Sequence, residues 1–188
     1  MIEMEERRRW DRTQNLVIVG PGGAGKTSLG LRLAPLLNQA IADLDNEFSR
    51  QIGNISEFIR DEGYDTYKVC NSALVEQIMS ELVAPTLLVT SSGFLSKDNP
   101  KIALEANRRL VDACYSICLL PPRNIEESIG AIVERQSRRL FTRDHAHEES
   151  TIRARYPTYA LEGDLRVFSM APSSETAEAI AHHLSDGP

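Results

Sequence analysis

The residues best suited to chemistry stand in Gly20-Pro21-Gly22-Gly23-Ala24-Gly25-Lys26-Thr27. The stretch fits G-x-x-x-x-G-K-[ST] in the context that motif needs, between the apolar run Leu16-Val17-Ile18-Val19 and the apolar-periodic segment from Leu29 to Leu37. A strand that ends in such a turn lets backbone N–H groups and a helix N-terminus surround a phosphate, because glycine has no Cβ to hold the ligand away. Gly22, Gly23, Ala24, Gly25 and Ser28 complete the cradle. Lys26, expected as a solvated cation at the loop mouth, would reach the β- and γ-phosphates of a nucleotide, and the Thr27 hydroxyl would bind Mg²⁺.

Three other groups belong near such a site. Asp43 and Asp45 alternate at the end of a short strand-like run, Gln39 to Asp45, so on extended backbone they point the same way. Ligands of open α/β sheets bind at the carboxyl ends of strands, which suits the pair to metal or substrate; a solvated acidic turn is the alternative. Ser91-Ser92-Gly93 follows the strand Thr86 to Thr90 and permits close approach by a ligand, or is a plain βα turn. Residues 138–149 form a charged, loop-like stretch with several arginines, the pattern of a lid over phosphates. His145 and His147 lack a third ligand at recognisable spacing, so no metal is assigned to them.

These groups need elements to hold them. The 188 residues suit one domain, and the net charge of −6 excludes the overall basic balance of a nucleic-acid binder. No apolar run reaches membrane-spanning length, and the charged stretch Met1 to Arg12 lacks the apolar core of a secretory signal, so a cytoplasmic protein with a small-molecule partner is expected. Three cysteines, Cys70, Cys114 and Cys118, suggest neither a disulfide framework nor zinc. Residues 1–14 read as a frayed arm or short helix that packs Trp10. Helical patterns follow at 46–63, 66–83, 101–112, 124–138 with Asn124 as N-cap, 150–161 with an interruption near Pro157, and a C-terminal stretch that ends at Leu184. Strands are expected at 114–120 and 165–169, and Pro172-Ser173-Ser174 reads as a turn, so that the last helix follows it. Strands alternating with helices give an α/β fold with a parallel sheet.

With those positions marked, the chain from Asn15 to Leu184 resembles the shikimate kinase family. Gly20 to Gly30 is similar to that family's G-x-x-G-x-G-K-[ST]-[ST]-x-G, Asp43-Leu44-Asp45 to its D-x-D, and Arg155-Tyr156-Pro157-Thr158-Tyr159 to its R-x-P-x-Y. Residues 46–83 look like its helical substrate-binding insertion, and Arg138 falls where its lid arginine sits. The resemblance implies a P-loop three-layer sandwich around a five-stranded parallel sheet of order 2-3-1-4-5. It also implies ATP, Mg²⁺ and a polyhydroxylated cyclic acid. Lys26, Asp45 and Arg138 would then act in catalysis, with Thr27 and Asp43 at the metal and Arg135 or Pro172 near adenine. Asp45, Lys68, Ser91, Ser92, Gly93 and Arg155 would face the acceptor. A monomer is expected, with a dimer left open.

The acceptor half departs from the family pattern. The insertion's F-R-x-x-E appears as Tyr67-Lys68-Val69-Cys70-Asn71, so both charged partners differ, and the glycine triplet lining the ring appears as Ser91-Ser92-Gly93. Lysine cannot reproduce the bidentate fork of a guanidinium on a carboxylate. The leading expectation is a shikimate kinase or close relative acting on a small hydroxylated acid. The alternatives are a nucleotide-binding regulator without catalysis and a kinase of the same fold acting on another polyol, sugar or nucleoside.

Overall fold

The computed structural model describes residues 2–140 and 145–185, without the side chains of residues 135–140. Six strands form one sheet: β1 (Ile2–Glu6), β2 (Leu16–Val19), β3 (Ala40–Asp43), β4 (Thr86–Val89), β5 (Tyr115–Leu120) and β6 (Leu165–Ser169), in the spatial order β1-β6-β5-β2-β4-β3. All neighbours from β3 to β6 pair in parallel. That is the expected 2-3-1-4-5 order with one addition, since β1 joins the edge antiparallel to β6, from Ile2 opposite Ser169 to Glu6 opposite Leu165.

The added strand corrects the expectation of a frayed arm. Ile2 and Met4 sit two apart, with Glu3 between them, and both pack on the core beneath. Glu5 meets Arg166 at 2.8 Å and Glu3 meets Arg123 at 2.8 Å. Trp10 packs as expected, its ring centre 6.4 Å from that of Tyr115, and its indole N–H donates to the carbonyl of Gln14.

The central strands are apolar on both faces because helices cover both. Leu16 and Ile18 of β2 face a cluster with Leu29, Leu33, Ala177 and Ile180, contributed by α1 (Lys26–Leu36) and α8 (Ser173–Ser185). Val17 and Val19 face the opposite cluster, built with Phe48 of α2 (Leu44–Gln51), Val75 of α4 (Tyr64–Ser80) and Leu110 of α5 (Lys101–Ala113). Tyr159, from α7 (His145–Tyr159), closes that side. Between α2 and α4, α3 (Ile55–Glu62) is capped by the Asn54 side chain and ends at Gly63, whose φ of 86° suits glycine.

Several boundaries differ from the sequence reading. The helix expected at 66–83 starts at Tyr64 and ends at Ser80, ahead of Pro85. Asn124 does not cap a long helix. A short 3-10 turn, Ile125–Glu127, follows it, and α6 (Ile129–Leu140) begins only afterwards, while the Asn124 amide donates to Glu127. The stretch 138–149, expected as a loop, is helical where it is described, because α6 runs to Leu140 and α7 starts at His145. Pro157 does not interrupt α7; near the C-terminal end its missing N–H costs one bond, and the helix continues to Tyr159. Among the described residues, no helix is long and apolar enough to cross a membrane.

Candidate active site

The sheet order places the carboxyl ends of β2, β3, β4 and β5 side by side, and two cavities open there. The first, about 630 Å³, is lined by Gly23 to Leu29, by Thr90 and Leu119, and by the turn from Ser169 to Ser173. Gly25 precedes α1 in a left-handed conformation, φ 99°, and turns the chain into the helix. At Gly23, φ is +71° and an added Cβ would stand 2.7 Å from Cγ2 of Ile132, so both the turn and the close approach of α6 require glycine. The cavity thus has a helix N-terminus at its floor, the arrangement that attracts an anion. Ala24, Ser28 and Pro172 line it, whereas Gly22 lies outside the lining.

Lys26 differs from its expected solvated state. It is buried, and its ammonium donates to the carbonyls of Gly20 at 2.8 Å and Pro21 at 3.0 Å. The loop folds over the lysine because its own carbonyls point inward and need donors. The Thr27 hydroxyl donates to Oδ2 of Asp43 at 2.8 Å. Asp43 ends β3 and caps α2 by accepting from the Asn46 N–H at 3.1 Å, so the chain turns helical at Leu44. Asp45 therefore stands in the first turn of a helix and not two residues along a strand; the alternation argument fails, although the two carboxylates still end near one site.

The second cavity, about 980 Å³, lies between α2, α4, α7 and the turn after β4. Lys68, Ser91, Ser92, Gly93 and Arg155 all line it. Asp45 and Ser92 line both cavities and mark where they meet. The Ser92–Leu95 turn is pinned from several sides. The Tyr159 hydroxyl donates to the Ser92 carbonyl at 3.1 Å and accepts from the Leu95 N–H at 3.2 Å. Asn107 donates to the carbonyl of Phe94 at 2.8 Å, and Asn99 donates to that of Gly93 at 2.9 Å. Burial pushes the Tyr159 phenol well above its ordinary range, so it keeps its proton and its donor role.

Arg155 reaches across the second cavity, donating to the Tyr64 hydroxyl at 3.1 Å and toward Ser92 Oγ at 3.4 Å. Tyr64 stacks on Tyr67 of the same helix, ring centres 5.8 Å apart, and its bond with Arg155 ties α4 to α7. Lys68 is engaged inside the protein, by Asp65 and Asp98. Sequence reading missed Tyr64, Asp98, Asn107 and Glu148, all of which line this cavity. Tyr64 directly follows the helix-ending Gly63 and was legible as a boundary; nothing local marked the others. The side chains of Arg135 and Arg138, assigned to adenine and to the lid, lie outside the described residues.

The donors present suit Mg²⁺. Thr27 and Asp43 offer one hydroxyl and one carboxylate beside the phosphate cradle, hard oxygen ligands for an ion that takes the rest of its shell from phosphates and water. Among the described residues no group of three or more His, Cys, Asp or Glu could hold a metal alone.

Comparison with known proteins agrees with this geometry. The family model described as shikimate kinase matches residues 22–185. A shikimate kinase of Pseudomonas entomophila is 30% identical over 159 residues, which is 82% of this chain and 86% of that protein. Among solved structures, shikimate kinase from Acinetobacter baumannii in complex with shikimate superposes with a TM-score of 0.67 at 23% identity, covering 91% of this chain and 92% of that one. Shikimate kinase from Aquifex aeolicus gives 0.70 at 18% identity, covering 90% and 95%. These two likenesses are of fold.

Proposed function

The chain belongs to the shikimate kinase family, and on that premise we propose that its two joined cavities carry the γ-phosphate of ATP to a hydroxyl of a small polyhydroxylated acceptor of shikimate's kind. The observation that supports this assignment of roles is that Asp45 and Ser92 line both cavities, so a nucleotide in one and an acceptor in the other meet at a carboxylate.

Phosphoryl transfer asks the protein for positioning and for neutralisation of charge more than for covalent chemistry. The N–H groups from Gly23 to Thr27 hold the phosphate oxygens. Lys26 exchanges the carbonyls of Gly20 and Pro21 for phosphate oxygens, a short swing because the ammonium already lies beneath the loop. Thr27 and Asp43 would hold Mg²⁺, which would supply neutralisation of the phosphate charge. Asp45 orients the acceptor hydroxyl and takes its proton. Ser91, Ser92 and Gly93 set the depth at which the acceptor rests, and Arg155 attracts an anionic group on it. Arg138 closes over the transferred group. Pro172 borders the adenine.

The test is ADP release coupled to a chromogenic readout, run over shikimate, quinate, gluconate and related polyols, with saturable ATP binding measured in parallel. Acceptor-dependent release is expected. Saturable ATP binding without release for any acceptor would favour a nucleotide-binding regulator instead.

A further inference from the structure

We propose that Tyr64 is a positioning residue of the acceptor cavity: its hydroxyl holds the Arg155 guanidinium against the turn at Ser92 and Gly93, ready for the carboxylate of an anionic acceptor, while Lys68 holds Tyr64 in place and does not meet the acceptor itself. The inference rests on the kinase reading for the class of acceptor; because the Tyr64–Arg155 contact acts on binding as well as on turnover, the two can fail separately.

The lysines and arginines among the described residues lining this cavity are Lys68, Lys97 and Arg155. Lys68 has nothing left to give a ligand. An ammonium has three N–H donors, and Lys68 commits its own to Oδ1 of Asp65 at 3.2 Å, to the carbonyl of Asp98 at 2.7 Å and to Oδ2 of Asp98 at 3.2 Å. Its side chain is only 7% exposed. Held there, the ammonium stands over the Tyr64 ring, 4.6 Å from the ring centre, within reach of a cation–π attraction. The two residues are four apart on α4, so the helix itself brings them together.

Tyr67, three residues on, supports the same ring with its plane only 15° from that of Tyr64. Tyr67 is anchored in turn, its ring centre 5.0 Å from that of Phe48 in the core. Tyr64 is therefore fixed by buried groups although it is itself 38% exposed. Its hydroxyl accepts from Nη2 of Arg155 at 3.1 Å, and Nη1 of Arg155 reaches Ser92 Oγ at 3.4 Å. A guanidinium has five N–H donors, so most of them stay available to an anion. Gly93 leaves room for the pair, since a Cβ added there would lie 3.2 Å from the Tyr64 hydroxyl and 3.5 Å from Nη2 of Arg155. A loose arginine surrenders its rotamer freedom when it grips a carboxylate; one already held surrenders less, which is worth about three- to tenfold in affinity.

The experiment uses the full-length enzyme and measures kcat and KM for shikimate and for the analogue whose carboxylate is replaced by hydroxymethyl, with the shikimate Kd from isothermal titration calorimetry. The variants are Tyr64→Phe, Arg155→Met and the two combined. Tyr64→Phe keeps the ring, its stacking and the cation over it, and removes only the oxygen that Arg155 reaches. It should raise KM and Kd for shikimate about three- to tenfold, with kcat, ATP affinity and the KM of the uncharged analogue within about twofold of wild type. In the Arg155→Met background the same change should add less than about twofold, because the hydroxyl acts through the guanidinium. Adding Lys68→Met to Tyr64→Phe should likewise add less than about twofold. A shikimate KM and Kd unmoved by Tyr64→Phe, an equal loss for shikimate and its uncharged analogue, or losses that multiply between Tyr64→Phe and Arg155→Met overturn the inference. Multiplied losses with Lys68→Met do so too, since Lys68 would then touch the acceptor. Failure to bind shikimate while ADP is released with another acceptor overturns it and leaves the kinase reading standing. ATP binding without release for any acceptor strikes the kinase reading, and the calorimetric Kd values then decide the inference on their own.

Discussion

Asp164→Ala tests how the strand order is clamped beneath the phosphate loop. Oδ2 of Asp164 accepts from the Ser116 N–H at 2.8 Å and from its hydroxyl at 2.9 Å, and Arg8 donates to both carboxylate oxygens at 2.9 Å each. One carboxylate therefore ties the N-terminal segment to the start of β5. Ser116 is buried, so removing its acceptor leaves an N–H without water, at a cost of about 1–3 kcal/mol. The Arg8 pair is partly solvated, with side chains 41% and 21% exposed, and adds about 0.5–1 kcal/mol. The total of about 1.5–4 kcal/mol should lower the melting temperature by roughly 3–16 °C in a domain of this size. A pH series supplies the sign. Burial would raise the Asp164 pKa, but Arg8 and Ser116 outweigh it and hold the carboxyl below its ordinary value of 3.8. A depressed folded-state pKa means that the stabilisation is complete above the unfolded value and is lost as pH falls through the folded one. Differential scanning calorimetry should thus show a full gap between wild type and variant at pH 7 that narrows below about pH 4. A gap under about 2 °C at pH 7, or one that stays constant into that acid range, would refute the clamp.

Lys26→Met should reduce acceptor-dependent ADP release by at least about a hundredfold while circular dichroism stays native; wild-type turnover would remove the phosphate loop from the mechanism. Asp45→Asn should lower kcat by roughly 10²–10⁴ with little change in ATP affinity, and the opposite split would mean that Asp43 and Asp45 have exchanged roles. Gly30→Ala places a Cβ 2.5 Å from Cγ2 of Val89, so α1 must lift off β4; overpacking of about 1–3 kcal/mol exceeds a helix-propensity gain of up to about 1 kcal/mol, and urea denaturation should show a net loss. At pH 8 iodoacetamide should modify the half-buried Cys70 first, because burial raises the Cys114 thiol to about 11 and pushes Cys118 up as well; rapid alkylation of either would contradict their burial.

The phosphate half of the site was legible because it is written in contiguous residues. A strand, a glycine turn and a helix from Leu16 to Leu36 make a cradle from backbone alone, and the buried apolar runs at β2, β4, β5 and β6 declare a sheet covered on both faces. Asp43 and Asp45 were also visible, although the chain turns helical between them, since an aspartate that ends a strand serves equally well as a helix cap. The first strand was missed because five residues carry only two apolar ones, and its pairing with β6 bridges more than 150 positions. Tertiary structure alone decided how the acceptor half is wired. Lys68 reads as a cation facing a ligand until Asp98, thirty residues on, takes its donors. Arg155 reads as a residue of the acceptor site from its R-x-P-x-Y setting, but that its N–H goes to Tyr64, 91 positions earlier, shows only in the fold. Charge and hydrogen-bonding capacity belong to residue types and can be read from the chain, but whether a donor is already spent depends on which distant groups the fold brings within 3 Å or so of it.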